Sequence, residues 1–134
     1  MSYLLDTDIV SNPLKKGPSL SLLRRLAAIP ADEQFTTAIT VGEMVYGALR
    51  SARAEEILAR PSKEVWPNLN ILSFDFAAAE AYGRLRSTLE AAGTPLSEPD
   101  MRIAAVALSR GLTLVTGNFR HFSRVPNLAV ENWL

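Results

Sequence analysis

The chain has 134 residues, 48% of them apolar and 21% charged, with 14 basic against 14 acidic side chains and no cysteine. That length predicts one domain with a core of its own, and that composition excludes a disordered or fibrous chain. Zero net charge speaks against a global electrostatic hold on phosphate backbone, so any such grip has to be local; the lack of cysteine excludes disulfides, thiolate metal sites and thiol nucleophiles.

The chain opens with "YLLDTDIV". Tyr3, Leu4 and Leu5 form a continuous apolar run, as expected of a parallel strand covered on both faces, and it ends in two aspartates, Asp6 and Asp8. Carboxylates there stand at the C-terminal end of a strand, where ligands gather in open α/β sheets, although aspartate is also a good helix cap. "SNPLKKGPSL" reads as a loop, followed by a helix from Ser19 to Ala28 that stops at Pro30. "EQFTTA" predicts a second strand through Phe35, Thr36 and Thr37. "TVGEMVYGALRS" predicts a helix, with apolar residues at Val41, Met44, Val45, Ala48 and Leu49.

From Ala52 to Pro67 the expectation is a helix that becomes irregular near Pro61, and "NILSF" is a third strand candidate. A long helix follows in "DFAAAEAYGRLRSTLEAAG", with Asp75 as its cap and Gly93 just beyond its end. "SEPDMRIAAVALSRG" predicts a helix from about Pro99 to Arg110, stopped by Gly111. "LTLVTG" gives a fourth strand, and "NLAVENW" is a candidate for a fifth. Strands alternating with helices indicate an α/β fold with a mainly parallel sheet of four to five strands between two helical layers. The apolar run Ile103–Leu108 is far short of the ~18 residues of a membrane span, and no basic segment precedes an apolar one at the N-terminus. A cytoplasmic protein is expected.

Acids recur at strand ends and helix starts. "TVGE", Thr40 to Glu43, fits a capping box, and "SEPD", Ser97 to Asp100, fits the same device with a proline in the first turn. Capping alone explains each of them. Asp100, however, heads the face that sends Ile103, Ala104, Ala107 and Leu108 toward the core, and Glu43 has Gly47 one turn on, which leaves space above its carboxylate. Inward carboxylates without a basic neighbour repel one another unless a cation lies between them, and hard divalent ions such as Mg2+ or Mn2+ suit oxygen ligands of this kind.

"LLDTDIVS", "VGEMVYGALRS" and "EPDMRIAAVALSRGLTLVTGNFRHFSRVPNLAVENW" together resemble the PIN-domain ribonuclease toxins of type II toxin–antitoxin systems, the VapC-like group. The resemblance spans nearly the whole chain and implies a single PIN domain over residues 1–134, folded as a three-layer α/β/α sandwich. It also implies a Mg2+- or Mn2+-dependent endoribonuclease acting on structured RNA, a homodimer, and inhibition by a cognate antitoxin protein. Carried over by position, Asp6 and Asp100 match metal-binding aspartates and Glu43 the family's glutamate, these three being the catalytic set. Asp8 and Thr116 match residues that orient the site. The chain departs from the family where a further acid is common: "TGNFRHF" offers only Asn118 and His121. Asn118 is then a hydrogen-bonding or water-mediated contact, and His121 is expected to be a surface residue.

RNA would be held locally by Lys15, Lys16, Arg50, Arg53, Arg120 and Arg124. Tyr46 and Phe119 are expected in the core, with base stacking as the other reading. An apolar strand followed by D-x-D-x-V also resembles the phosphoaspartate hydrolases of the haloacid dehalogenase class, and a PIN-like domain that binds without cutting is a further alternative.

Overall fold

A computed structural model describes residues 1–134. Five strands, β1 (Tyr3–Leu5), β2 (Gln34–Thr37), β3 (Asn70–Leu72), β4 (Thr113–Val115) and β5 (Val130–Glu131), form one sheet in the order β3-β2-β1-β4-β5. Every pairing is parallel. The helices are α1 (Thr7–Ser11), α2 (Leu20–Ala28), α3 (Ala38–Leu49), α4 (Ala54–Arg60), α5 (Phe76–Ala91), α6 (Glu98–Arg110) and the short α7 (Phe119–Phe122). The expected sandwich is therefore present, with a wholly rather than mainly parallel sheet. No helix is long and apolar enough to cross a membrane.

The apolar run of β1 is continuous because alternate side chains serve different cores. Leu4 and Leu114 pack with Ala78, Leu85 and Leu89 of α5, Ile103 and Ala107 of α6, and Phe122 of α7. Leu5 and Val115 face the opposite side, against Ile9, Val10, Leu22 and Trp133. Thr36, fully buried in β2, stays satisfied by donating to the Leu5 carbonyl at 2.8 Å. The chain builds the sheet outward from β1 through β2 to β3, then returns to the other edge of β1 with β4. The strand order thus reverses between β1 and β4, and a crevice opens there at the carboxyl ends of the strands.

Local stop signals are chemically ordinary. Asp75 accepts from the Ala78 N–H at 3.0 Å and caps α5; Gly111 ends α6 at φ +65°, a left-handed conformation that glycine adopts without penalty. Two elements differ from expectation. Helix α1 begins directly after β1, inside what reads as the approach to a loop, and α7 follows β4 within "NFRHF". After α4 the chain passes through a wide turn at Pro61–Val65 and a tight one at Trp66–Asn68, in keeping with the irregularity expected near Pro61.

Candidate active site

Asp6 sits between β1 and α1 at the mouth of the crevice, and its side chain serves both neighbours. Oδ1 accepts from the Thr7 N–H at 2.8 Å, capping α1, while Oδ2 accepts from the hydroxyl of Thr116, at the end of β4, at 2.8 Å. Capping and site-building are one arrangement here. Thr116 is fully buried, and its Oγ1 also accepts from the Asn118 N–H at 3.0 Å. The next residue, Gly117, donates its N–H to Asp8 Oδ2 at 2.8 Å. A Cβ at Gly117 would meet that oxygen at 2.5 Å, so the close approach of Asp8 to the β4 backbone needs the missing side chain. Thr116 and Gly117, just after β4, therefore tie down Asp6 and Asp8, the two aspartates that follow β1.

Glu43 corrects an expectation. Helix α3 begins at Ala38, and its cap is Thr37, which accepts from the Thr40 N–H at 3.0 Å; "TVGE" is thus inside the helix and is no capping box. Freed from a capping role, Glu43 accepts from the hydroxyl of Thr7 at 2.7 Å, with the Thr40 hydroxyl 3.2 Å from that of Thr7. Thr7, Thr40 and Gly117 are contributors that sequence reasoning passed over. The only available hint for Thr7 was its place between the two aspartates. Thr7→Val should leave the fold intact and slow any reaction that uses Glu43 about tenfold, near the ~1.4 kcal/mol of one misplaced charge-assisted bond, read as a kcat ratio against the parent.

Asp100 enters from the first turn of α6. Ser97 caps that helix by accepting the Asp100 backbone N–H at 3.3 Å, as "SEPD" implied, and the Ser97 side chain also eases the charge of the half-buried Asp100 carboxylate. His121, exposed on α7, contacts Asn118 Oδ1 through Nδ1 on the side of the cluster that Asp100 faces. The structure thus brings together Asp6, Asp8, Glu43 and Asp100, with Thr116, Asn118 and His121 along one side.

The cluster holds its charge at a cost. Burial pushes the Asp6 carboxyl up to about 7, and Asp8 and Asp100 add repulsion; its bonds from Thr116 and Thr7 act the other way. Burial likewise raises Asp8 and Asp100. Backbone N–H groups, that of Gly117 first, oppose the rise at Asp8, with Lys15 adding a little. At Asp100 the Ser97 side chain opposes it, Glu43 and Asp8 push further up and His121 tempers. No lysine or arginine bonds to any of the four acids. Asp8 Oδ1 is buried with no partner at all. An orphaned carboxylate oxygen beside mutually repelling acids fits a hard divalent cation. No three acidic or histidine side chains stand together as a ready-made metal site, so an ion here would rest on one or two protein oxygens and water.

The predicted RNA-holding residues divide. Arg53 is committed to Glu56 through two bonds, at 2.8 and 2.9 Å. Lys15, Lys16, Arg50, Arg120 and Arg124 are exposed and outside any ion pair. Tyr46 and Phe119 are 65% and 46% exposed, not core as expected, because α3 and α7 turn these rings away from the sheet. Beside Thr7 a groove of about 520 Å³ runs between α1, α3 and α4, lined mainly by Leu14, Met44, Ile57, Leu58 and Pro61.

Comparisons with known proteins agree with this architecture. The family model for the PIN domain matches residues 3–128. Ribonuclease VapC2 of Haemophilus influenzae is 37% identical over 134 residues, spanning 100% of this chain and 99% of that protein. The tRNA(fMet)-specific endonuclease VapC of Salmonella typhimurium is 33% identical over 133 residues, 99% of this chain and 98% of that one. Among solved structures, that of VapBC2 from Rickettsia felis bound to a DNA fragment from their promoter superposes with a TM-score of 0.89 at 32% identity, over 100% of both chains. The phosphoaspartate reading is set aside: β4 is followed by Thr116, Gly117 and Asn118, with no late acid, and the sequence relationship lies elsewhere. By its strand order, its acids at the β1–β4 switch and its similarity along nearly the whole length, the chain belongs to the PIN-domain family, in the VapC branch.

Proposed function

We propose that this protein is a divalent-metal-dependent endoribonuclease, the toxin of a toxin–antitoxin pair, with Asp6, Glu43 and Asp100 as its catalytic residues. The observation that carries the reading is the set of carboxylates at the β1–β4 crevice, Asp6 buried and Asp8, Glu43 and Asp100 partly so, with no basic bonding partner and with one orphaned oxygen on Asp8. Asp6 and Asp100 would hold Mg2+ or Mn2+, with Asp8, Thr116 and Asn118 fixing their orientation. Such an ion, when bound, supplies a more acidic water and positive charge against the scissile phosphate.

The chain's own groups do the rest. Thr7 holds Glu43 through Oε1, leaving Oε2 to take the proton of the attacking water. Thr116 keeps the Asp6 carboxylate in one rotamer by a bond inside the core, so it need not reorganise as charge develops. Lys15, Lys16, Arg50, Arg120 and Arg124 meet the RNA backbone near the crevice, whereas Arg53 must first leave Glu56.

The relatives named as ribonucleases, and neighbours solved as a toxin–antitoxin complex from Klebsiella pneumoniae and as a member of the VapBC family of toxin–antitoxin systems, support both the activity and an antitoxin partner. The apolar groove beside Thr7 suits a helical segment of such a partner. A homodimer is the expected state; Phe76, 81% exposed at the start of α5, is a large apolar group that a second copy would cover. The site of action is the cytoplasm, where RNA is met.

The deciding test is incubation of the purified protein with cellular RNA. Cleavage should vanish in EDTA and return with Mg2+ or Mn2+. Retained RNA affinity without any product under the same conditions would make the protein a binder and sink the nuclease reading.

A further inference from the structure

Glu43, Tyr46 and Arg50 follow one another along α3 at spacings of three and four, so their side chains leave one face of the helix. The row starts at the acidic cluster and runs outward, Tyr46 about 4.5 Å and Arg50 about 10 Å further along the axis. The Arg50 guanidinium lies over the Tyr46 ring, 5.3 Å from its centroid. One face of the ring is thus covered by a cation, while most of the side chain remains in water. Arg50 has no carboxylate partner to hold it elsewhere. Between Glu43 and Arg50 on the same face stands Gly47, where even a Cβ would meet nothing within 4 Å, so the row is open from above.

A flat exposed ring, an unpaired guanidinium and an acidic centre in line match the parts of an unpaired nucleotide: a base with a π-face, a phosphate beside it, and a scissile bond beyond. A peptide asks for something else, an apolar trough, and that lies beside the row at Met44 and Ala48, bordering it at Gly47 but lined by neither Tyr46 nor Arg50. We infer that Tyr46 stacks on an unpaired base next to the scissile phosphate while Arg50 holds the adjoining phosphate, so that the pair selects a single-stranded position for cleavage. The inference rests on the ribonuclease reading above and adds specificity residues to it.

The test is a double-substitution cycle on binding. A fluorescently labelled hairpin RNA, with its loop nucleotides replaced one at a time by an abasic residue, is titrated in Mg2+ with the Asp6→Asn protein, which keeps the fold and spares the RNA. Adding Tyr46→Leu should weaken binding about tenfold or more, and Tyr46→Phe should not. One abasic position should cost as much with Tyr46 in place and nothing further with leucine there. Losses that add, or leucine and phenylalanine variants that bind alike, overturn the inference. So does a Tyr46→Leu protein that binds RNA normally but no longer binds its antitoxin, since the ring would then belong to a protein interface. Cleavage by protein retaining Asp6 is scored separately: cutting with an indifferent Tyr46 removes only the stacking role, whereas neither cutting nor binding removes the ribonuclease reading as well.

Discussion

Asp6→Asn should reduce RNA cleavage about a thousandfold, the equivalent of about 4 kcal/mol, and should leave the fold in place. The amide oxygen of asparagine can accept the Thr7 N–H as the carboxylate does, and asparagine caps helices as well as aspartate. The Thr116 hydroxyl can turn to accept from the new amide N–H. What is lost is the charge. Single-turnover cleavage beside circular dichroism separates these effects, and a variant that cuts as fast as the parent would refute the role of Asp6 outright.

The same substitution should stabilise the metal-free protein. The folded-state ionisation of Asp6 is raised from 3.8 to about 7, chiefly by burial. Its favourable contribution is complete below the ordinary value, where folded and unfolded chains both hold the proton, and it is lost as pH rises through about 7. Stability in EDTA should therefore fall between pH 4 and pH 7 by a few kcal/mol at most, a loss the asparagine variant lacks, read as a lower melting temperature of the parent. Added Mn2+ should recover part of that margin in the parent alone. If the two proteins melt in parallel across this range, burial does not penalise the Asp6 charge.

Asp100→Asn is the second large effect. The start of α6 is secured by the backbone N–H of residue 100 donating to Ser97, so exchanging the side chain keeps the cap. Removing an acid from the first turn forfeits a little helix-dipole stabilisation, and it also relieves the burial and the repulsion from Glu43 that raise this group. Stability should change little, while cleavage falls about a hundredfold or more and Mn2+ affinity weakens in isothermal titration. Loss of stability with full activity would return Asp100 to a capping role.

Much of this architecture was legible in the chain because strand and helix signals alternate cleanly. The run Tyr3–Leu5 announces a strand covered on both faces, and Leu4 and Leu5 do pack into different cores. Helix α1 was hidden because five residues are too few to display a period, and Asn12 and Pro13 follow at once. "TVGE" misled because Thr37 and Thr40 are equally good caps; the end of β2 at Thr37 chooses between them, and strand pairing is a long-range fact. Tyr46 was misplaced for a related reason: α3 is apolar on several sides, so its pattern does not say which side meets the sheet. The convergence of Asp6, Glu43 and Asp100 was suggested by family resemblance, but their supports, Thr7, Thr40 and Gly117, act across folds of the chain that no local pattern encodes.

The bond from Thr116 to Asp6 joins residues 110 positions apart. An unfolded or partly paired chain therefore has no assembled centre: Asp6 is fixed only once β4 docks beside β1, so catalysis and the last step of sheet assembly should appear together during refolding.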